Sequence, residues 1–282
     1  MNCFVLITGW FGVSKPFKGF LKVFSETVVF GLISYLFVSI CESSFSFRFM
    51  FDSVDFRNNW FVNSYLMLLL LTPIMEKSLA NIKYDELKKW IILLCIFNIV
   101  FVFLFRNLND NGYNVIQFIF LYYIARFLKL GYERKWCVLL RIYSLPLYIL
   151  AVISLSLGFY FMSINGKLVK SIVWFGYNQP LVLILSIAFF MSFAKLRFCS
   201  NIINRISTGV FGVFVLHTTI HIIPIRNVFA HFIYSQYGYL GILGLTIIIF
   251  LLCLVLSIPC SKMISKAVTA FGMKSHLCEF SK

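Results

Sequence analysis

Charge is scarce in this chain. Asp and Glu together number 10 of 282 residues, and all charged types make up 12%, about half the usual share for a soluble domain. In their place, 61% of residues are hydrophobic, and the mean hydropathy is +0.91. A soluble fold of this size cannot bury so much apolar surface, so the solvent it calls for is lipid. Paired cysteines are missing too. Cys3, Cys41, Cys95, Cys137, Cys199, Cys253, Cys260 and Cys278 are scattered, and none stands in a CxxC. Most fall in apolar runs, so they read as small hydrophobes and imply neither a disulfide framework nor a zinc site. No loop is long enough for a soluble domain, and no strong internal repeat is visible.

What remains is a succession of apolar runs. Eight of them are long enough to cross a bilayer: roughly 20–41, 60–76, 88–105, 113–129, 136–162, 170–193, 206–223 and 239–260. The sequence therefore predicts an all-α, polytopic transmembrane bundle. It has eight full spans plus a shortened N-terminal one, in a single membrane domain over 1–262, with a tail over 263–282.

The cations sort by loop. Arg48, Arg57, Arg106, Lys167, Lys170 and Arg226 fall in one alternate set of loops, and the other 19 of the 25 Lys and Arg fall in the opposite set. Such a bias predicts that the richer set, and with it the C-terminal tail, faces the cytoplasm. The net charge of +15 is then a matter of topology and does not point to nucleic acid.

The first apolar run, Met1–Val13, has 13 residues. That covers roughly 20 Å, against a hydrocarbon core about 30 Å thick. It carries neither the charged n-region nor the small-residue cleavage site of a signal peptide. On the cation tally this run enters from outside. The expectation is that at least the first half of its helix, and up to one whole preceding helix, lies upstream in the gene.

Several stretches resemble acyltransferase family 3, the integral-membrane O-acyltransferases. NCFVLITGWF is similar to the N-x-F-x-L-I-S-G-Y-F stretch that ends the family's second helix. NNWFVNSYLMLLLLTPIMEKSL resembles its W-F-x-x-x-Y-L…L-x-P helix, and GYNVIQFIFLYYIARFLKL its G-Y-x…F-x-x-L-Y-x-I-G-x-Y segment, with Ala125 where glycine is usual. NRISTGVFGVFVLHTTI is similar to its I-S-x-x-x-F-G-I-Y-L-I-H helix. The four occur in order over about residues 2–260, and the likeness is closest to the branch that acetylates surface sugars. The resemblance implies ten helices, a cytoplasmic acetyl-CoA donor and an acceptor that is a surface glycan or lipid-linked sugar. It also implies a bacterial inner membrane and no resident cofactor. The family's first helix carries an Arg/Lys-x10-His motif with the catalytic histidine, and no position here matches it. The chain as written is therefore expected to be inactive. The family's R-x-x-R survives only as Lys18 and Lys22 in FKGFLKVFSE.

Acyl transfer across a membrane needs cations for the donor phosphates and a base near the acceptor hydroxyl. Lys18, Lys22, Arg126 and Arg141 are the donor-side candidates. Each also reads as an orientation charge snorkelling to the headgroups. Glu26, at i,i+4 from Lys22, reads as its partner or as a proton relay. Tyr122, one turn from Arg126, makes a donor-side pair with it. On the acceptor side stand Trp60, Tyr65 and His221. Trp60 alternatively anchors an aromatic belt. His217 and His221 are four apart, which predicts a shared helix face. His217 alone matches the family helix and is the weak catalytic candidate, the bland alternative for either being a hydrogen bond to a neighbouring helix. Two histidines do not close a metal shell, so no metal is expected. Ser207, Gly209 and Gly212 read as a close-packing stripe. Two other functions stay open: a flippase or transporter, and a non-catalytic membrane component of polysaccharide export.

Overall fold

The computed structural model describes residues 1–101, 111–166, 175–196 and 199–279. It is all-α, with no strand among the described residues. The chain forms two compact units interleaved in sequence. One is Met1–Pro16 with Met67–Phe198, and the other is Phe17–Leu66 with Cys199–Lys282.

The first unit opens with α1 (Asn2–Phe11), which packs on α6 (Val115–Leu130) and α9 (Pro180–Ala194). Val5 and Leu6 of α1 are fully buried. A Cβ on Gly9 would fall 2.8 Å from the Tyr122 carbonyl oxygen and 2.9 Å from Ala125 Cβ, so two small residues set the close approach of α1 to α6. The helix ends at Gly12, whose φ of +72° suits glycine and whose N–H reaches the Thr8 carbonyl. α6 is preceded by Asn114, whose side chain accepts the Gln117 N–H at 3.0 Å as an N-cap. Buried amides fill the space at this end. Asn98 Nδ2 donates to Gln117 Oε1, Gln117 Nε2 donates to the Tyr177 carbonyl at 2.9 Å, and Asn2 Nδ2 donates to that carbonyl at 3.0 Å. The Tyr177 carbonyl thus takes two side-chain amide donors, and Asn2 Nδ2 also reaches the Ser186 hydroxyl at 3.3 Å. The unit also holds α5 (Tyr84–Cys95), a π turn (Ile96–Phe101), α7 (Lys135–Ile142), α8 (Ser144–Ile164) and the latter part of α4 (Trp60–Leu79).

The second unit is built on α2 (Pro16–Cys41), with α3 (Phe47–Val54), the start of α4, α10 (Asn201–Ser207), α11 (Val210–Thr218) and α12 (Ile222–Glu279). Phe30 of α2 is fully buried, and a Cβ on Gly212 of α11 would meet its ring at 2.6 Å and Ser257 Cβ at 2.7 Å. The Ser34 hydroxyl donates to the Leu216 carbonyl at 3.3 Å. Gly212 therefore does the packing work expected of the small-residue stripe.

Three described helices are long and apolar enough to cross a membrane: Pro16–Cys41, Ser144–Ile164 and Ile222–Ala270. A fourth results if Val115–Leu130 and Lys135–Ile142, bent by 106°, count as one broken span. Their apolar side chains point outward, with Phe161 71% and Val255 72% exposed, an arrangement that needs lipid around it. This is a membrane protein, but the prediction of eight full spans requires correction.

The reasons are local. The 136–162 run divides at Tyr143 because Pro146, in the first turn of α8, lacks an N–H and its ring excludes the helical carbonyl of Ile142. The 206–223 run divides at Thr219, which is extended at φ −61° and ψ 139°, and Pro224 bars the same carbonyl bond to Ile220. The 60–76 run is the 20-residue α4, diluted by Asn63, Ser64, Glu76 and Lys77. The 113–129 run is α6, with 16 residues. The 239–260 run lies inside α12, which is interrupted by Gly238 (φ 58°, ψ −147°) and continues through 263–279. The 88–105 and 170–193 runs lie partly outside the described residues, as do Arg106, Lys167 and Lys170.

Candidate functional site

Polar side chains gather at both ends of α2. Lys18 is exposed in the first turn. One turn on, Lys22 Nζ lies 3.9 Å from Glu26 Oε1, so the i,i+4 pair forms, and Glu26 is only 2% exposed. Lys22 also opens onto a cavity of about 330 Å3 lined by Thr208, Ser261, Lys262, Met263, Ser265 and Lys266. Three ammonium groups from two helices thus border one space. The sequence reading missed Lys262 and Lys266, which it counted only as orientation charges. Their i,i+4 spacing was the available signal.

Tyr35 stands thirteen residues, roughly 20 Å, farther along α2 than Lys22. It holds the turn after α2 by accepting the Ser46 N–H at 2.8 Å and donating its hydroxyl to the Ser46 carbonyl at 2.9 Å. His221 lies against Phe49, with ring centroids 5.1 Å apart, and Nε2–H donates to the Phe49 carbonyl at 3.0 Å. A carbonyl only accepts, so in the neutral ring Nδ1 keeps the lone pair. Tyr35, Ser39, Glu42, Ser44, Phe49 and His221 line a cavity of about 150 Å3.

His217 and His221 do not share a helix face. His217 lies in the last turn of α11, whereas His221 falls in the break before α12, for the Pro224 reason above. His217 Nδ1–H donates to the Val213 carbonyl at 2.7 Å, leaving the lone pair on Nε2. An aromatic path joins it to the other acceptor-side candidates. His217 lies 6.1 Å from the Phe214 ring, Phe214 lies 5.1 Å from Phe61, and Tyr65 and Trp60 each lie 5.9 Å from Phe61. Tyr65 is nearly parallel to Phe61, at 5°. Arg226 Nη1 donates to the His217 carbonyl at 3.2 Å, tying α12 back to the end of α11.

The remaining donor-side candidates belong to the other unit. Arg126 pairs with Glu76, which also accepts the Tyr122 hydroxyl. Glu76 was not a sequence candidate, because it stands at the end of an apolar run and looks like loop. Gly12 lets this cluster close: a Cβ there would lie 2.6 Å from Arg126 Nη2 and 3.0 Å from Glu76 Oε1. Arg126 is thereby neutralised and is a weaker phosphate ligand than its position in sequence implies. Arg141 Cζ sits 3.9 Å from the Tyr132 ring centroid, a cation–π contact. Its buried Nε has no hydrogen-bond partner among the described residues.

Among the described residues, no three of His, Cys, Asp and Glu converge to hold a metal ion. Comparison with protein-family models, with curated proteins and with solved structures returns no match.

Proposed function

We propose that the chain is an integral-membrane O-acyltransferase. It moves an acyl group, acetyl in the branch it most resembles, from cytoplasmic acetyl-CoA to a hydroxyl of a surface glycan or lipid-linked sugar at a bacterial inner membrane. The observation that carries this reading is the pair of cavities at opposite ends of α2. One is bordered by Lys22, Lys262 and Lys266, and the other holds His221, Tyr35 and Glu42. Along α2 they lie roughly 20–30 Å apart, Lys22 bordering one and Tyr35 to Glu42 the other, so a polyanionic donor and a neutral sugar acceptor each find suitable chemistry at a different end of the helix. The four motifs, in order, add to it.

In this reading the acceptor hydroxyl gives its proton to a neutral imidazole as its oxygen attacks the thioester carbonyl. The C–S bond then breaks, and the coenzyme A thiolate takes the proton back. His217 is the candidate base, since Nε2 is its free lone pair. Trp60 and Tyr65, on the aromatic path to it, offer flat apolar faces to a sugar ring. His221 and Tyr35 line the acceptor cavity.

The test is mass analysis of the surface polymer after deletion of the gene. Loss of an acetyl mass supports the proposal. Loss of all polymer would indicate a flippase, and altered polymer yield with unchanged modification would indicate a non-catalytic export component. Complementation with the 282-residue chain and with its His217→Ala variant then locates the base. Restoration by the first, reduced about 10²–10⁴-fold in the second, would overturn the expected inactivity and assign the base to His217. No restoration by the first bears out the inactivity expected from the absent Arg/Lys-x10-His motif and removes His217 as the base.

A further inference from the structure

We propose that the cavity among Lys22, Ser261, Lys262, Ser265 and Lys266 is a binding site for a phosphate group. Lys262 and Lys266 lie one turn apart on α12, and as like charges at i,i+4 they repel. Lys22 adds a third cation from α2. Among the described residues Glu26 stands against them, buried on the α2 side and already paired with Lys22. The rim therefore keeps an excess of positive charge with no carboxylate among its lining residues. A folded chain holds such a cluster together at less cost when an anion sits in it.

The neutral lining fits the same ligand. The Ser265 hydroxyl can donate to oxygens between the ammonium groups, whereas the Ser261 hydroxyl, 2% exposed, faces the Glu26 carboxylate, and the Thr208 hydroxyl is already given to the Arg205 carbonyl at 2.7 Å. Lysines approach a phosphate as mobile point charges, and at about 330 Å3 the space is larger than one phosphate group needs. Two sources share this chemistry: the phosphates of a nucleotide-bearing acyl donor and the headgroup of an anionic phospholipid. The first source rests on the function proposed above. The cavity does not.

The experiment uses the full chain in nanodiscs. Binding of free coenzyme A is measured in phosphatidylcholine discs, and phosphatidylglycerol retained through native mass spectrometry is counted in mixed discs. Lys262→Gln/Lys266→Gln should weaken coenzyme A binding about tenfold, or remove the retained phosphatidylglycerol. Lys262→Arg/Lys266→Arg should preserve either one, which guards against simple misfolding. Lys88→Gln/Lys89→Gln, which takes the same charge from an exposed stretch of α5, should change neither. Selective loss of coenzyme A binding assigns the site to the donor, and selective loss of phosphatidylglycerol assigns it to lipid. Equal effects from both Gln pairs, or none from either, overturn the proposal. Binding is read without transfer, so the two readings fail separately. A polymer unchanged by gene deletion sinks the enzyme alone, and normal binding by the Lys262→Gln/Lys266→Gln chain sinks the cavity alone.

Discussion

Glu76 and Arg126 form an ion pair between α4 and α6, across 50 residues of sequence. Both are mostly shielded, at 29% and 19% side-chain exposure, so losing one partner strands the other. Glu76→Ala should lower stability by about 1–3 kcal/mol. Adding Arg126→Met to that background should cost less than it does alone. A double-mutant cycle on thermal unfolding in detergent measures the coupling, and additive losses would refute the pairing.

Gly12 is needed twice over, for its positive φ and for the space beside Arg126. Gly12→Ala should therefore lose about 1–3 kcal/mol from backbone strain alone, with more from displacing the guanidinium. Gly158→Ala is the contrast, because a Cβ there would meet nothing within 4 Å among the described residues outside the backbone of α8. It should be neutral, or gain up to about 1 kcal/mol from helix propensity. Equal melting temperatures for the two variants would remove Gly12 from this role.

Gly212→Ala forces a methyl group into the Phe30 ring and Ser257, neither of which is a loose chain end. Overpacking of this kind costs about 1–3 kcal/mol. Shaving the neighbour in a Gly212→Ala/Phe30→Leu chain should recover part of the loss, as read by fluorescence-detected size exclusion after heating. No recovery would mean that the contact between α2 and α11 is not what limits the site.

Cys41, at the far end of α2, and Cys199, before α10, are both exposed. The cation tally puts the first outside and the second in the cytoplasm. In intact cells, a membrane-impermeant maleimide should label a chain whose sole cysteine is Cys41. A chain whose sole cysteine is Cys199 should react only after the membrane is opened. The reverse pattern would invert the orientation, and with it the assignment of donor and acceptor ends.

Much of the helical content could be read directly from apolar runs. The 20–41 run appears as Pro16–Cys41, since nothing within it interrupts the hydrogen-bond ladder. The Lys22–Glu26 pair was equally legible, being a matter of one helical turn. Hydropathy alone overlooked the cuts at Pro146 and Pro224, because an apolar window does not register a missing N–H. The second of these moved His221 off the face of His217, and the two histidines went to different surroundings. Glu76 was hidden for a different reason. Its partner lies on another helix, and no local spacing announces a contact across 50 residues. The aromatic path from Trp60 and Tyr65 to His217 was half visible. Its ends were named from the sequence, but Phe61 and Phe214, which join them, look like any other lipid-facing phenylalanine.

The interleaving of the two units bears on how the polypeptide is made. Ser34 and the Leu216 carbonyl it bonds are 182 residues apart. At a ribosomal pace of about 5–20 residues per second, α2 emerges roughly 9–36 s before that partner exists. Throughout that interval the face bearing Glu26, Phe30 and Ser34 has only lipid, an insertase or a chaperone for company.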